Sequence, residues 1–357
     1  MNKFNRIISL LKILLFSKKT WVWPQKSKVL IFDGNGKEFI LEYLQPWSPE
    51  VLYLDGEQLN MLVLFSSLFK KGKQSTSYID CFIKKVNPRL IVTLIDNNHI
   101  FYSISSRHPY IKTLFIQNGW RGHYYNDKPI AQIKQKNNIS GLLTVDYMMT
   151  FGKVSGIEYA KYLCGKTIPI GSIKSNNVKI TKKYNNNTIG FVSQWHDGNV
   201  SVGNRPYLNK EFFEKADKLI ISCLTKYANE NDKELFIIPR HPVGSRLAKR
   251  EENYFQNMLG CNAKFIRLVG SSSCYQAIDS FQVVVVVDST LGYESLARGN
   301  KTAIFSIRGS ILNESSLNFG WPKTQPDTGP FWTNIPDQDL FNQILNNLFE
   351  ISYAQWL

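Results

Sequence analysis

The chain has 357 residues, 43% of them hydrophobic and 13% aromatic, which excludes a disordered or fibrous polymer and provides core for two domains of ordinary size. Its net charge of +15 sits in the first half: residues 1–183 hold 27 Lys and Arg against 11 Asp and Glu, and residues 184–357 hold 16 against 17. Such a basic half suits an anionic membrane, an anionic substrate or a nucleic acid, and the last is the weakest reading because no zinc finger, helix-turn-helix cue or RNA-binding aromatic motif is present.

Residues 1–27 form a basic amphipathic segment. Phe4, Ile7, Ile8, Leu11, Leu14 and Leu15 recur at helical spacing, Pro24 ends the run, and seven basic residues occur before any acid. Lys12 interrupts the apolar stretch and no small-residue cleavage site follows, so a signal peptide does not fit. The pattern predicts a helix lying on an anionic leaflet with Trp21 and Trp23 at headgroup depth, or a helix docked on the protein's own core. No run of 18 apolar residues is present to span a membrane. Five scattered cysteines without CxxC spacing point to reduced thiols in a cytoplasmic protein.

From Lys28, short apolar strands alternate with helical or loop segments, at Lys28–Asp33, Val51–Asp55, Leu90–Asp96, Thr113–Gln117, Leu142–Phe151 and Lys166–Ile170. Spacings near 25–30 residues predict βα units on a parallel sheet. The polar stretch Asn176–Asn187 reads as a linker. A second set follows: a strand at Thr188–Ser193, a long helix at Phe212–Asn229, strands at Glu234–Pro239 and Lys264–Leu268, and the run Val283–Val287. Five consecutive valines predict a strand buried on both faces. Asp288, Ser289 and Thr290 then turn the chain and cap a helix from about Leu291 to Arg298, with Gly299 as its stop. A strand at Thr302–Ser306 and a terminal helix from Gln338 to Leu357 complete the chain. The expected fold class is α/β, with two Rossmann-like domains facing across a cleft, at residues 28–176 and 188–335, and a terminal helix over 336–357.

In open α/β sheets ligands bind past the carboxyl ends of the strands. Several polar clusters fall there. In the first half these are Asp33–Gly36, Asp96 with Asn97 and Asn98, and Gln117-Asn118-Gly119-Trp120-Arg121. In the second half they are Ser193-Gln194-Trp195-His196-Asp197, Arg240-His241-Pro242 and Asp288-Ser289-Thr290. A helix N-terminus with two hydroxyls at Ser289 and Thr290 suits a phosphate, and Glu294, one turn on, can reach a ribose hydroxyl; a capped joint without a ligand is the plain alternative. Arg240 and His241 can donate charge-assisted hydrogen bonds to phosphate, or act as a surface cap. Asp96 is a candidate general base, or the head of an Asx turn. Arg121 can clamp a sugar carboxylate, with Asp127 as its plain partner, and Asp197 is a further acidic candidate beside the turn residue Gly198. The segment from Phe319 to Trp332 reads as an aromatic loop able to stack on a base or sugar, or as a packed surface loop. Gly-x-Ser-x-Gly, His-Glu-x-x-His and Walker-type glycine loops are absent from the sequence. Asp33–Gly36 does not complete Gly-x-Gly-x-x-Gly, so a dinucleotide cofactor is poorly supported, and without Asp-x-Asp sites in the right setting no metal dependence is implied.

Taken together, Gln117–Arg121, Ser193–Trp195, Arg240–Pro242, the block from Asp288 to Lys301, Phe319–Pro322 and Gly329–Trp332 resemble bacterial surface-carbohydrate (O-antigen or capsule) biosynthesis proteins of the GT-B glycosyltransferase class. The block from Asp288 is the most specific part. More distantly, His-Pro followed by a hydroxyl-rich strand end is similar to bacterial sialyl- and Kdo-transferases and polyol-phosphate polymerases. The resemblance implies that His241, Ser289 and Thr290 hold the phosphate of a CMP- or CDP-linked donor and Glu294 its ribose. This chain has Asp-Ser-Thr where those families often show Ser-Ser. The expectation is a glycosyltransferase that passes a sugar, such as Kdo or another ulosonic acid, from a CMP-linked donor to a glycan or lipid-linked acceptor at the inner membrane face, without a cofactor. A CDP-polyol phosphotransferase and a non-catalytic nucleotide- or glycan-binding subunit are the alternatives.

Overall fold

A computed structural model describes residues 15–357 apart from 55–56, 70–73, 99, 121–142, 182–184, 203–204, 209, 261–262, 271–272 and 321–324. The chain divides into two compact units, one of Met1–Asn118 with Asp127–Ile173, the other of Gly119–Asn126 with Lys174–Leu357. Each is built on a six-stranded parallel sheet.

In the first unit the strands are β1 (Val29–Phe32), β2 (Glu50–Leu52), β3 (Leu90–Thr93), β4 (Lys112–Ile116), β5 (Leu143–Thr150) and β6 (Leu163–Pro169), in the spatial order β2-β1-β3-β4-β5-β6. Leu30 of β1 lies opposite Glu50 on one side and Ile91 on the other. All four residues of β1 are buried, as a central strand covered on both faces must be. Helices α1 (Glu38–Leu44), α2 (Met61–Leu68), α3 (Gln74–Val86) and α4 (Lys153–Ala160) lie between strands in the chain. The order reverses between β1 and β3, and Asp33 and Asp96 follow those two strand ends.

The second unit contains β7 (Asn185–Val192), α5 (Lys215–Glu230), β8 (Glu234–Ile238), α6 (Ala248–Leu259), β9 (Lys264–Phe265), α7 (Ser273–Ile278), β10 (Phe281–Val286), α8 (Thr290–Ala297), β11 (Thr302–Phe305), α9 (Arg308–Leu312), β12 (Trp332–Thr333) and α10 (Gln338–Glu350). Its sheet runs β9-β8-β7-β10-β11-β12, all parallel, the order of a dinucleotide-type Rossmann sheet with its reversal between β7 and β10. The valine strand is central and Val283 to Val287 are fully buried. Its helix α8 packs so close that a Cβ on Gly292 would stand 2.4 Å from Val286 Cγ2, which is why glycine occupies that position.

Several local expectations are corrected. Lys18–Thr20 is not helical; it pairs in parallel with Gln58–Asn60 in a separate two-stranded sheet. Of the expected N-terminal helix, Leu15 and Phe16 are helical, and residues 1–14 lie outside the described residues. The stretch read as a linker is tied down at both ends. The buried Arg298 donates to the carbonyls of Ser175, Val178 and Lys179 while paired with Asp279, and Asn185 to Asn187 already belong to β7. The long helix starts only at Lys215, after a wider turn over Lys210–Glu214. The terminal helix breaks at Ile351, and Ser352 opens a new short turn with a capping box to Gln355. Among the described residues no helix is long and apolar enough to cross a membrane.

Candidate functional site

The carboxyl edge of the second sheet gathers four strand ends. β7 leads to Ser193 and Gln194, β8 to Arg240 and His241, β10 to Asp288, Ser289 and Thr290, and β11 to Arg308. The first two are joined by a carboxylate that sequence reasoning missed. Glu251, on the inward face of α6 between Leu247 and Phe255, is 0% exposed. It accepts hydrogen bonds from the Ser193 hydroxyl and from the backbone amides of Arg240 and His241, both at 2.9 Å. A buried carboxylate is tolerated only with donors of this kind, and here it sets the path of both loops.

Gln194 makes the next link. Its Oε1 accepts from the Asp288 amide at 3.3 Å and from Arg308 at 2.9 Å, and its carbonyl accepts from Arg240 at 3.2 Å. Arg308 is a fully buried arginine. It bonds the Asp288 carboxylate at 2.6 Å, reaches Asp217 at 3.5 Å, and lies over the rings of Phe212 and Phe213 at 5.1 and 4.8 Å. Burial pushes the Asp217 carboxyl up to about 6, against the pull of Arg308 and of the Tyr254 hydroxyl that donates to it. Arg308 and Asp217 also escaped the sequence reading. The available signals were an arginine one turn past a buried strand and an aspartate within the apolar stripe of α5.

Ser289 caps α8 by accepting from the Leu291 amide at 3.2 Å. The Thr290 hydroxyl oxygen accepts from the Trp120 amide at 2.8 Å, and the Trp120 ring stacks on Tyr293, which stacks in turn on Phe319. Both hydroxyls act here as acceptors, which leaves each O–H proton to donate. Glu294 is buried and accepts from the Tyr275 hydroxyl at 3.0 Å. The His241 ring meets Trp195 edge to face, and its Nε2 is buried without a partner. Beside it opens a pocket of about 550 Å³ whose lining includes His241, Ser245, Lys249, Phe265 and Arg267. His196 is held below its usual pKa first by burial, then by Arg240, His241 and Arg308, with Asp197 pulling the other way. Arg240 and the N-terminus of α8 are the groups of this edge that suit an anion. The Phe319 to Trp332 segment is a packed aromatic cluster, with Phe331 and Trp332 against Phe319, and 321–324 lie outside the described residues.

The other acidic candidate of this unit is a surface group. Asp197 is exposed and pairs with exposed Arg250, an arrangement that contributes little in water.

In the first unit, Asp96 is 1% exposed. Its carboxylate accepts from the Asn118 amide at 3.0 Å and from the Tyr159 hydroxyl, and its carbonyl accepts from Tyr102. Gln117 is likewise buried, bonding Met149 of the neighbouring strand and Phe151 just past its end. In this arrangement Asp96 holds the Asn118 amide and the Tyr159 hydroxyl, and so positions the segment Gln117-Asn118. Arg121 lies outside the described residues.

A family model described as "putative O-antigen biosynthesis protein" matches residues 114–357. No curated protein matches the sequence. Among solved structures, UDP-GlcNAc 2-epimerase from Methanocaldococcus jannaschii, in complex with UDP-GlcNAc and UDP, has 12% identity and a TM-score of 0.50, covering 91% of this chain and 93% of that one. HepE of Anabaena, in complex with UDP and glucose, has 10% identity and a TM-score of 0.47 over 92% of each chain. The wall teichoic acid polymerase TagF, soaked with CDPG, has 9% identity and a TM-score of 0.45, over 100% of this chain and 92% of that one. At such identities the likeness is one of fold, and the fold is that of the GT-B class, α/β with two Rossmann-like domains.

Proposed function

The chain belongs to the O-antigen biosynthesis family, and from that membership we propose that it is a glycosyltransferase of bacterial surface-polysaccharide assembly, passing a sugar from a CMP-linked donor to a glycan or lipid-linked acceptor. The donor binds at the carboxyl edge of the second sheet. The observation that carries this reading is the buried, unpartnered Nε2 of His241 on the edge that also holds Arg240 and the α8 N-terminus with its two hydroxyls. His241, Ser289 and Thr290 hold the donor phosphate, and Glu294, once freed from Tyr275, takes the ribose. As the glycosidic bond breaks, charge gathers on the leaving phosphate. Donors already fixed in place stabilise it without a metal. The first unit, with its excess of Lys and Arg, takes the acceptor at an anionic membrane face.

The test is incubation of the purified protein and acceptor lipids with radiolabelled CMP-sugar or CDP-polyol donors, with and without a chelator. Turnover of the CMP-sugar, unaltered by the chelator, is expected. Turnover of the CDP-polyol alone favours the phosphotransferase, and nucleotide binding without turnover favours a binding subunit. His241→Ala is expected to weaken CMP binding about 10- to 100-fold by calorimetry, as loss of a charge-assisted hydrogen bond implies. An unchanged affinity removes His241 from the site.

A further inference from the structure

The first unit carries an apolar surface whose parts are locked together by hydrogen bonds. The strand Lys18–Thr20 lies beside Gln58–Asn60. Asn60 then caps α2, accepting from the Val63 amide at 3.1 Å, and its side-chain amide donates to the Val22 carbonyl at 2.7 Å. Helix α2 buries Val63 and Ser67 on one side. On the other side Phe65 is 45% exposed, Leu68 49% and the cap residue Phe69 91%. These three stand at i, i+3 and i+4, so they share a face. The Trp21 ring, 59% exposed, lies against Phe65 with centroids 6.2 Å apart, and Val22 beside it is exposed too.

Scattered exposed apolar residues are ordinary, but a contiguous and anchored set marks an interaction surface. Charge identifies the partner. The segments 15–28 and 61–73 contain Lys18, Lys19, Lys26, Lys28, Lys70, Lys71 and Lys73 and no acidic residue. Exposed Glu57 is the acid beside Lys18. Lys85 lies over the Trp23 ring at 3.9 Å. Aromatic and aliphatic tips next to Lys18, Lys19 and Lys85 match a leaflet of anionic headgroups over acyl chains, whereas protein interfaces are depleted in lysine. The preceding residues, Met1–Leu14, continue the same composition, with Lys3, Arg6 and Lys12 and no acid.

We propose that Trp21, Val22, Phe65, Leu68 and Phe69 form a lipid-contact surface that seats the first unit on an anionic bilayer. The inference deepens the membrane part of the proposed function and does not depend on the transfer chemistry. It is tested with the full chain and vesicles of phosphatidylcholine alone or mixed with phosphatidylglycerol. The wild type partitions onto the mixed vesicles, and brominated lipids quench its tryptophan emission. Phe65→Ser/Leu68→Ser/Phe69→Ser lowers the partition coefficient at least about tenfold, since each lost apolar side chain removes buried hydrocarbon. Lys18→Glu/Lys19→Glu, which leaves the apolar face intact, lowers it on mixed vesicles only. Circular dichroism checks that both variants fold. Wild-type partition by both variants overturns the proposal. So does loss of all binding on deleting residues 1–14 while the triple variant still binds, which would assign the lipid contact to that segment alone. Donor turnover measured in the same preparations keeps the two ideas apart: vesicle binding without transfer sinks the enzyme reading only.

Discussion

The strand-end edges of the two units use the same backbone design for opposite purposes. In the first, the polar side chains look inward: Asp96 and Gln117 bond amides and hydroxyls of their own unit and are closed to solvent. In the second, the buried groups, Glu251 and Arg308, lie one layer below the edge and hold other groups in place, so that Arg240, His241, Ser289 and Thr290 keep donors to offer. A polar residue at a strand end is therefore not a ligand-binding residue by position alone. What distinguishes the second edge is that buried side chains beneath it satisfy the backbone, so that the side chains above keep donor capacity.

The sharpest way to break that contrast is to remove the supporting layer. Glu251→Ala leaves the Ser193 hydroxyl and two amides buried without an acceptor. It is expected to lower unfolding free energy by about 3–5 kcal/mol in urea denaturation, while Glu251→Gln, whose one oxygen can keep the Ser193 and Arg240 bonds but leaves the His241 amide facing an NH2, is expected to lose about 1–3 kcal/mol. A surface-sized loss for Glu251→Ala would mean that the loops hold without it. Next is Asp96→Asn. If the carboxylate positions Asn118 and Tyr159, the variant loses about 1–3 kcal/mol of stability, since the new amide can serve one of those donors and not both. Full stability with abolished turnover would return Asp96 to the chemistry. The smallest effect is pH-dependent. Asp217 is raised from 3.8 unfolded to about 6 folded, so the folded state binds the extra proton between those values. Its contribution to stability is therefore best below about pH 4 and is lost as pH rises through about 6. The stability difference between Asp217→Asn and wild type should shift in the variant's favour over that interval, and a flat difference would show that Arg308 already keeps Asp217 ionised throughout it.

Much of the second unit can be read from neighbouring residues. Val283 to Val287 announce a strand covered on both faces, Ser289 a helix cap, and both are local features that a short window contains. The site's supporting residues are not local. Glu251 meets Ser193 across 58 positions and Arg308 meets Gln194 across 114, and neither partner is marked in the sequence around the other. A glutamate on the apolar stripe of α6 was the one available hint. The setting of Asp96 is hidden for the same reason: its carboxylate bonds Tyr159, 63 residues further on. The strand at Lys18–Thr20 is equally hidden, because its partner Gln58–Asn60 lies forty residues away in the chain.

The short stretch Gly119–Asn126 belongs to the second unit although the first unit's sequence continues after it. Neither unit is thus a continuous piece of polypeptide. A fragment starting at Lys174 would carry Tyr293 and Phe319 with the Trp120 face of their stack bare, and Thr290 without its amide. One starting at Leu114, where the family match also begins, keeps that strap. Cutting the gene just before Lys174 would therefore sever the second unit from a piece of itself, and dissection of this protein should follow the path of the backbone through both units instead of its midpoint.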